Sequence, residues 1–232
     1  MGVADEAIVK IKEMIVGGEL TPGQRLPSEK ELSEHLGLSR ASLREAAKAL
    51  EAIGVLDVRR GDGTYVTSLE PRILLDALSF VVDLHADSSI LDILTVRRIL
   101  EPAATSMAVA GMTPETAAAL RALVEDVDVN SSVDLLVEHE LQFHRTIVAL
   151  SGNPYLTSLL DSLLSTTVRA RIWRWLTEEE SIARTIDEHR AIVEALVRGD
   201  ALLANALTTA HISGVERSLR NALDTSPGVE PS

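Results

Sequence analysis

Apolar residues recur along this chain at two periods. Ile8, Ile11 and Ile15 stand three and four residues apart, which predicts a helix over 4–16. Gly17-Gly18 stops it and Thr21-Pro22-Gly23 reads as a turn. Ser28-Glu29-Lys30-Glu31 has the form of a capping box, starting a second helix that ends at Gly37. Ser39 is a good N-cap for a third helix over 40–53, closed by Gly54. The period then shortens: Val55 to Arg59 reads as a strand, Gly61-Asp62-Gly63 as a tight turn and Thr64-Tyr65-Val66 as a return strand. From residue 71 onward the spacing is helical throughout, over 71–85, 88–110, 114–129, 132–150, 154–177, 182–198 and 201–222. The sequence from Asp224 onward predicts a frayed tail. The fold class expected is mainly α, an N-terminal winged helix-turn-helix followed by an all-α antiparallel helical bundle. The boundaries expected are 1–68 for the first domain, 69–226 for the second and 227–232 for a disordered tail.

Four positions in the second half break an otherwise apolar pattern. His189 lies in the stripe Ile182, Ile186, His189, Val193, Leu196. His144 lies in Val137, Leu141, His144, Val148, and His211 follows Leu203 and Leu207 and precedes Val215. Glu140 lies in Val133, Leu136, Glu140, Phe143, Ile147. A buried carboxylate needs a cation or donors, since its desolvation costs several kcal/mol. Glu140 and His144 are i, i+4 on one helix face and together suit a divalent metal. A histidine on an apolar stripe is ordinarily a satisfied core residue, so a structural reading and a metal reading both stand. His139 lies about 100° round the helix from Glu140 and is read as a non-ligand. His35 and His85 have no comparable setting.

Composition narrows the chemistry. There is no cysteine, which excludes disulfides, thiolate-bound zinc, iron–sulfur clusters and a catalytic thiol, and is compatible with a reducing cytoplasm. No apolar run approaches a membrane span, and the first residues show no secretory signal. A net charge of −13 taken whole argues against nucleic acid. Its distribution changes that: residues 1–68 carry nine Lys+Arg against eleven Asp+Glu, a net of −2, while residues 69–232 carry thirteen against twenty-four, a net of −11.

Within the near-neutral first part, Arg40, Arg44 and Lys48 stand at i, i+4, i+8 on one face of the third helix. Leu43, Ala46, Ala47 and Leu50 occupy the opposing side. A major-groove helix needs that separation, with arginine able to bond a guanine edge bidentately and serine or the helix N-terminus able to hold a phosphate. Arg59-Arg60-Gly61 at the hairpin tip could touch a phosphate or the minor groove. Three basic residues alone would read as a solvated face. The capping box, short turn and glycine-tipped hairpin around them favour the DNA reading.

These residues resemble the GntR family of bacterial transcription regulators. The resemblance is carried by Leu26-Pro27-Ser28-Glu29-Lys30-Glu31-Leu32, Leu38-Ser39-Arg40-Ala41-Ser42-Leu43-Arg44-Glu45-Ala46, Leu50-Glu51, Gly54-Val55-Leu56 and Gly61-Asp62-Gly63-Thr64-Tyr65-Val66. It implies DNA contacts from Arg25, Lys30, Ser39, Arg40, Ser42, Arg44 and Gly61. The family often has a hydroxyl residue where this chain has Ala41. The second half is similar to the FCD ligand-binding domain of the FadR subfamily, through Arg97-Arg98-Ile99-Leu100-Glu101-Pro102-Ala103-Ala104, Glu140-Leu141-Gln142-Phe143-His144-Arg145, Gly152-Asn153-Pro154, Glu188-His189-Arg190-Ala191-Ile192 and His211. That resemblance implies a divalent metal on Glu140, His144, His189 and His211, with Glu140 where the family has Asp. It also implies that Arg97 points into an effector pocket. The other reading of Arg97 is an ion pair with Glu101, its i+4 neighbour, and the two can coexist.

The expected protein is a cytoplasmic, homodimeric transcription regulator, not an enzyme. It would bind palindromic double-stranded DNA under the control of a small carboxylate effector. The metal would be zinc, with nickel, manganese or iron as alternatives. Two rivals stand beside it: a regulator for which the metal is itself the signal, and a histidine-ligated metalloenzyme.

Overall fold

The computed structural model describes residues 3–69, 86–178 and 180–225. The chain divides into two compact units, Met1–Leu74 and Leu75–Ser232. In the first, helices α1 (Val3–Val16), α2 (Glu29–Leu36) and α3 (Arg40–Ala52) precede strands β1 (Leu56–Arg59) and β2 (Gly63–Val66). The capping box forms as expected, with the Glu31 backbone N–H donating to Ser28 Oγ and the Ser28 N–H donating to the Glu31 carboxylate. Gly37 turns the chain out of α2 at φ 68°, a left-handed conformation that glycine adopts without steric cost. Ser39 caps α3 by accepting from the Ser42 N–H.

The strands pair antiparallel from Leu56↔Val66 to Arg59↔Gly63. Residues 23–26 run along the other edge of β2, where the Leu26 N–H donates to the Thr64 carbonyl and the Val66 N–H to that of Gln24. The core beneath gathers one face of every element, including Ile11, Leu32, Leu43, Ala46, Leu50, Leu56 and Val66. This leaves the opposite face of α3 in solvent.

The second unit is helical among its described residues: α4 (Ala86–Ala108), a 3₁₀ turn at Val109–Gly111, α5 (Pro114–Glu125), α6 (Val133–Leu150), α7 (Pro154–Thr166), α8 (Val168–Thr177), α9 (Ser181–Val197) and α10 (Ala201–Thr225). The mainly α class, with a small two-strand wing, is as expected. The helix expected over 71–85, with His85, and the tail at 227–232 lie outside the described residues. Helix α4 packs on α10, α6 and α7, and α9 packs on α10 and α5. The main apolar core runs through Leu120, Leu136, Phe143, Ile147, Ile192 and Leu196.

Three helix boundaries differ from the sequence reading. The helix expected to run to residue 129 ends at Glu125. There the Asp128 carboxylate accepts from the Asn130 N–H and Ser131 Oγ accepts from the Asp128 N–H, so side chains take over the local backbone bonding. The last helix reaches Thr225, past the end expected at residue 222. The single helix expected over 154–177 is two, broken at Thr167 with φ −90° and ψ 2°. The Thr167 hydroxyl, which donates to the carbonyls of Leu163 and Leu164, supplies a local alternative to the helical ladder. The break sets the direction of α8 and of Arg171 on it.

Candidate functional site

Four side chains meet inside the second unit. Glu140 and His144 come from adjacent turns of α6, His189 from α9 and His211 from α10. One ligand-capable atom from each lies within 4.8 Å of all the others, and all four residues are buried. Every imidazole presents Nε2 to the Glu140 carboxylate. His144 Nε2 is 3.0 Å and His211 Nε2 3.7 Å from Oε1, and His189 Nε2 is 3.5 Å from Oε2. Glu140 Oε2, His189 Nε2 and His211 Nε2 have no hydrogen-bond partner among the described residues, although each is shut off from solvent. Buried polar atoms are normally satisfied. Orphans converging from three helices fit a group that accepts their lone pairs together, so this set could hold a metal ion.

The far side of each ring is tied down. His144 Nδ1 pairs with Glu101 of α4. His211 Nδ1 lies 2.7 Å from Glu188 Oε2, and His189 Nδ1 lies 3.1 Å from His139 Nε2. A partner at Nδ1 keeps a proton there and leaves the Nε2 lone pair for a cation, the usual arrangement behind metal-bound histidine. Phe143 stacks on His189 with ring centroids 3.8 Å apart and fixes the ring plane. His139 is outside the four-residue set. It serves as a prop for a ligand-type histidine.

Charge around the set is dense. Arg171 Nε stands 2.5 Å from Glu140 Oε1. Burial pushes the Glu140 carboxyl up, but Arg171 first, then His189 and His144, outweigh it and hold the group well below the ordinary carboxylate range. Burial likewise raises Glu101, while Arg97, His144 and Arg171 bring it below its usual value. Burial, reinforced by the charge of Arg97, brings Arg171 down to about 10, so it stays cationic at neutral pH. His189 is pushed well below its ordinary value by burial and by its histidine neighbours, against the pull of Glu140. His211 goes the other way: burial lowers it, but the nearby Glu140 carboxylate and the hydrogen bond to Glu188 leave it raised.

Arg97 is buried and donates through Nε and Nη2 to Glu101 Oε2, at 2.9 and 2.8 Å, and through Nη1 to Thr167 Oγ1 at 2.7 Å. The i+4 pair anticipated from the sequence is therefore present. Sequence reasoning passed over Arg171, Glu188, Thr167 and the supporting part of His139. Arg171 carried no clear signal, since its neighbours one helical turn away, Thr167, Val168, Arg174 and Trp175, are a mixed set. Glu188 precedes His189 yet serves His211 on another helix, and no spacing announces that.

In the first unit, Arg40 and Arg44 are exposed on α3, and among the described residues neither has an ion-pair partner. Lys48, the third member of that face, pairs with Glu45 at 3.0 Å. Ser39 and Ser42 stand at the N-terminus of α3 with hydroxyls 2.7 Å apart. Lys30 is exposed in the first turn of α2. Arg25 lies beside the wing, where a Cβ at Gly63 would come within 2.5 Å of its Nε, so glycine makes room for the guanidinium. Gly61 is exposed at the wing tip. Arg59 is paired with Asp57 and sits 4.3 Å over the Tyr65 ring, so it is held against the wing.

Two family models match the chain: the FCD domain over residues 92–214, and bacterial regulatory proteins of the gntR family over 3–66. The HTH-type transcriptional regulator LutR of Bacillus subtilis (strain 168) is 32% identical over 208 residues, covering 88% of this chain and 94% of its own. The galactonate operon transcriptional repressor of Escherichia coli (strain K12) is 29% identical over 211 residues, covering 88% and 92%. Among solved structures, Streptococcus agalactiae GntR superposes with a TM-score of 0.72 at 26% identity, covering 93% of this chain and 99% of that one.

Proposed function

Given that this chain belongs to the GntR family of DNA-binding transcription regulators, with a C-terminal FCD domain, we propose that a metal-held small organic acid controls its affinity for operator DNA. The named relatives are transcription regulators, not enzymes. Among the described residues no helix is long and apolar enough to cross a membrane.

Helix α3 is the proposed recognition element. Arg40 and Arg44 reach base edges, Ser39 and Ser42 hold a phosphate at the helix N-terminus, and Lys30, Arg25 and Gly61 contact the flanking backbone. The exposure of both arginines without acidic partners supports this assignment. Two copies of the chain present two such helices to a palindromic operator.

The observation that carries the sensor reading is the convergence of three Nε2 atoms on Glu140, with every Nδ1 held from behind. Glu140, His144, His189 and His211 would hold the metal. Zinc is the first choice, with nickel, manganese or iron compatible with the same donors. Bound there, the metal supplies a Lewis-acidic position for one carboxylate oxygen. Arg97 is the proposed partner of the acid's second oxygen, and its Nη1 and Nη2 each keep one N–H beyond their bonds to Thr167 and Glu101. An acid favouring one arrangement of the bundle shifts the population that binds DNA.

The test is a mobility shift on the chain's own upstream DNA, with and without metal and with a panel of organic acids. Acid-dependent loss or gain of the shift supports the reading. A response to metal alone makes the metal the signal, and no response to either makes the cluster structural.

A further inference from the structure

The two oxygens of Glu140 have different neighbours. Oε1 has Arg171 Nε at 2.5 Å and His144 Nε2 at 3.0 Å. Oε2 faces His189 Nε2 at 3.5 Å and, though buried, has no hydrogen-bond partner among the described residues. Glu101 is divided in a similar way: Oε2 accepts two hydrogen bonds from Arg97, and Oε1 meets His144 Nδ1. Each buried glutamate thus gives one oxygen to an arginine and turns the other toward a histidine. Arg171 is buried on α8, one turn beyond the break at Thr167. Its Nε approaches Oε1 as an ion pair rather than as an aligned hydrogen bond. Arg174, also buried with unengaged donors, faces Glu178 and Glu188, neither of which belongs to the four-residue set.

Arg171 and a divalent ion would share one carboxylate. A cation in contact with Oε1 repels a second cation at the same atom, and the repulsion grows where water is excluded. With the Nε2 atoms of His144 and His211 committed to an ion, Arg171 is the close partner left to Oε1 among the described residues. Oε2 is then the oxygen free to ligate. Resting on the metal reading of this site, we propose that Arg171 is a positioning residue that confines Glu140 to one-oxygen coordination, through Oε2. A carboxylate can hold a cation through one oxygen or two, and the second oxygen fills a place that an outside ligand could take. Arg171 therefore keeps a place open for the carboxylate of an effector, and it lowers the affinity of the site for the ion itself. Partners of a ligating carboxylate commonly have such influence on the ion.

The experiment starts from full-length protein stripped of metal. Zinc affinity is read by competition with a chelator. Cobalt(II) serves as a coloured probe, because its visible spectrum reports the ligands around it. Acetate is titrated into the cobalt-loaded protein as a probe carboxylate and should change the parent spectrum. Arg171→Met removes both the charge and the N–H beside Oε1. Zinc should then bind about 10- to 100-fold more tightly, the cobalt spectrum should differ from the parent's, and the response to acetate should weaken by about tenfold. In Arg171→Gln the amide stands where Nε stood, so Oε1 keeps an N–H without the charge. Zinc should again bind more tightly, but with a cobalt spectrum like the parent's; this variant carries the test if Arg171→Met does not fold. A purely structural arginine would leave zinc binding unchanged or weaken it. Zinc bound no more tightly by the folded variants than by the parent overturns the proposal, as does an Arg171→Met spectrum identical to the parent's or a parent spectrum indifferent to acetate. If the parent takes up neither zinc nor cobalt, the metal reading itself falls. If the parent takes up both and the variants match it, only the assignment of Arg171 falls.

Discussion

The two units use the same residue types on opposite sides of the solvent boundary. In the first, Arg40 and Arg44 stand in water with no carboxylate in reach among the described residues. In the second, Arg97, Arg171 and Arg174 are buried, each within ion-pair distance of a glutamate. An exposed cation is already solvated and can exchange water and counterions for a phosphate. A buried cation must bring its counter-charge with it, because attraction and desolvation both grow as the dielectric falls. The first unit is therefore open toward a partner. The second is a nearly closed set of charges whose unsatisfied atoms outline the group that completes it.

That contrast can be broken most forcefully at Glu140. Glu140→Ala strands Arg171 in the interior, and removing one partner of a buried pair costs about 3–5 kcal/mol, so thermal unfolding of the second unit should shift strongly downward. A variant that melts like the parent would mean that water already screens the cluster. Next in size is the metal. With free zinc at a hundredfold excess over its Kd, the protein should gain about 2.7 kcal/mol of stability, reversed by chelator and absent in His189→Ala. Calorimetry that shows no zinc-dependent melting would empty the site of its proposed ion.

Effects in the first unit should fall on binding rather than stability. Arg40→Ala and Arg44→Ala should each weaken operator binding by about 1–3 kcal/mol with little change in the unfolding midpoint. Lys48→Ala should cost less than either, because Glu45 already occupies its ammonium. Mobility shifts on one operator fragment rank the three, and equal losses would remove the distinction between free and paired cations. The smallest effect is expected at Glu31. Hydrogen bonds from the Ser28 side chain and backbone hold its carboxyl below the ordinary value. Its contribution is present above the unfolded-state value and is lost as pH falls through the depressed one. Glu31→Gln should thus lower the melting temperature at neutral pH and leave it unchanged in strong acid. A deficit that persists in acid would exclude the carboxylate as its cause.

The first unit was almost fully legible in the sequence. Its signals are local: Ser28 and Glu31 are one turn apart, Gly37 and Gly54 stand at helix ends, and Arg40 and Arg44 share a face by helical period alone. In the second unit, periodicity placed Glu140, His144, His189 and His211 on apolar faces, and the structure brings those four together. The supporting residues were less legible. Thr167 was read through as helix interior, since a threonine in a helical pattern carries no fixed stop signal. Arg171 was passed over because a chain position says nothing about which carboxylate it will face.

The sequence by itself determined most of the order of elements, the exposed cations of α3 and the four residues that break the apolar faces of the second unit, because each depends on neighbours within a few residues. Tertiary structure alone decided that Arg171 of α8 meets Glu140 of α6, that Glu101 of α4 holds His144, and that Glu188 of α9 holds His211. A period of 3.6 residues fixes which side of a helix a residue occupies. It does not fix the rotation and height at which one helix packs on another, and those set which buried charges touch.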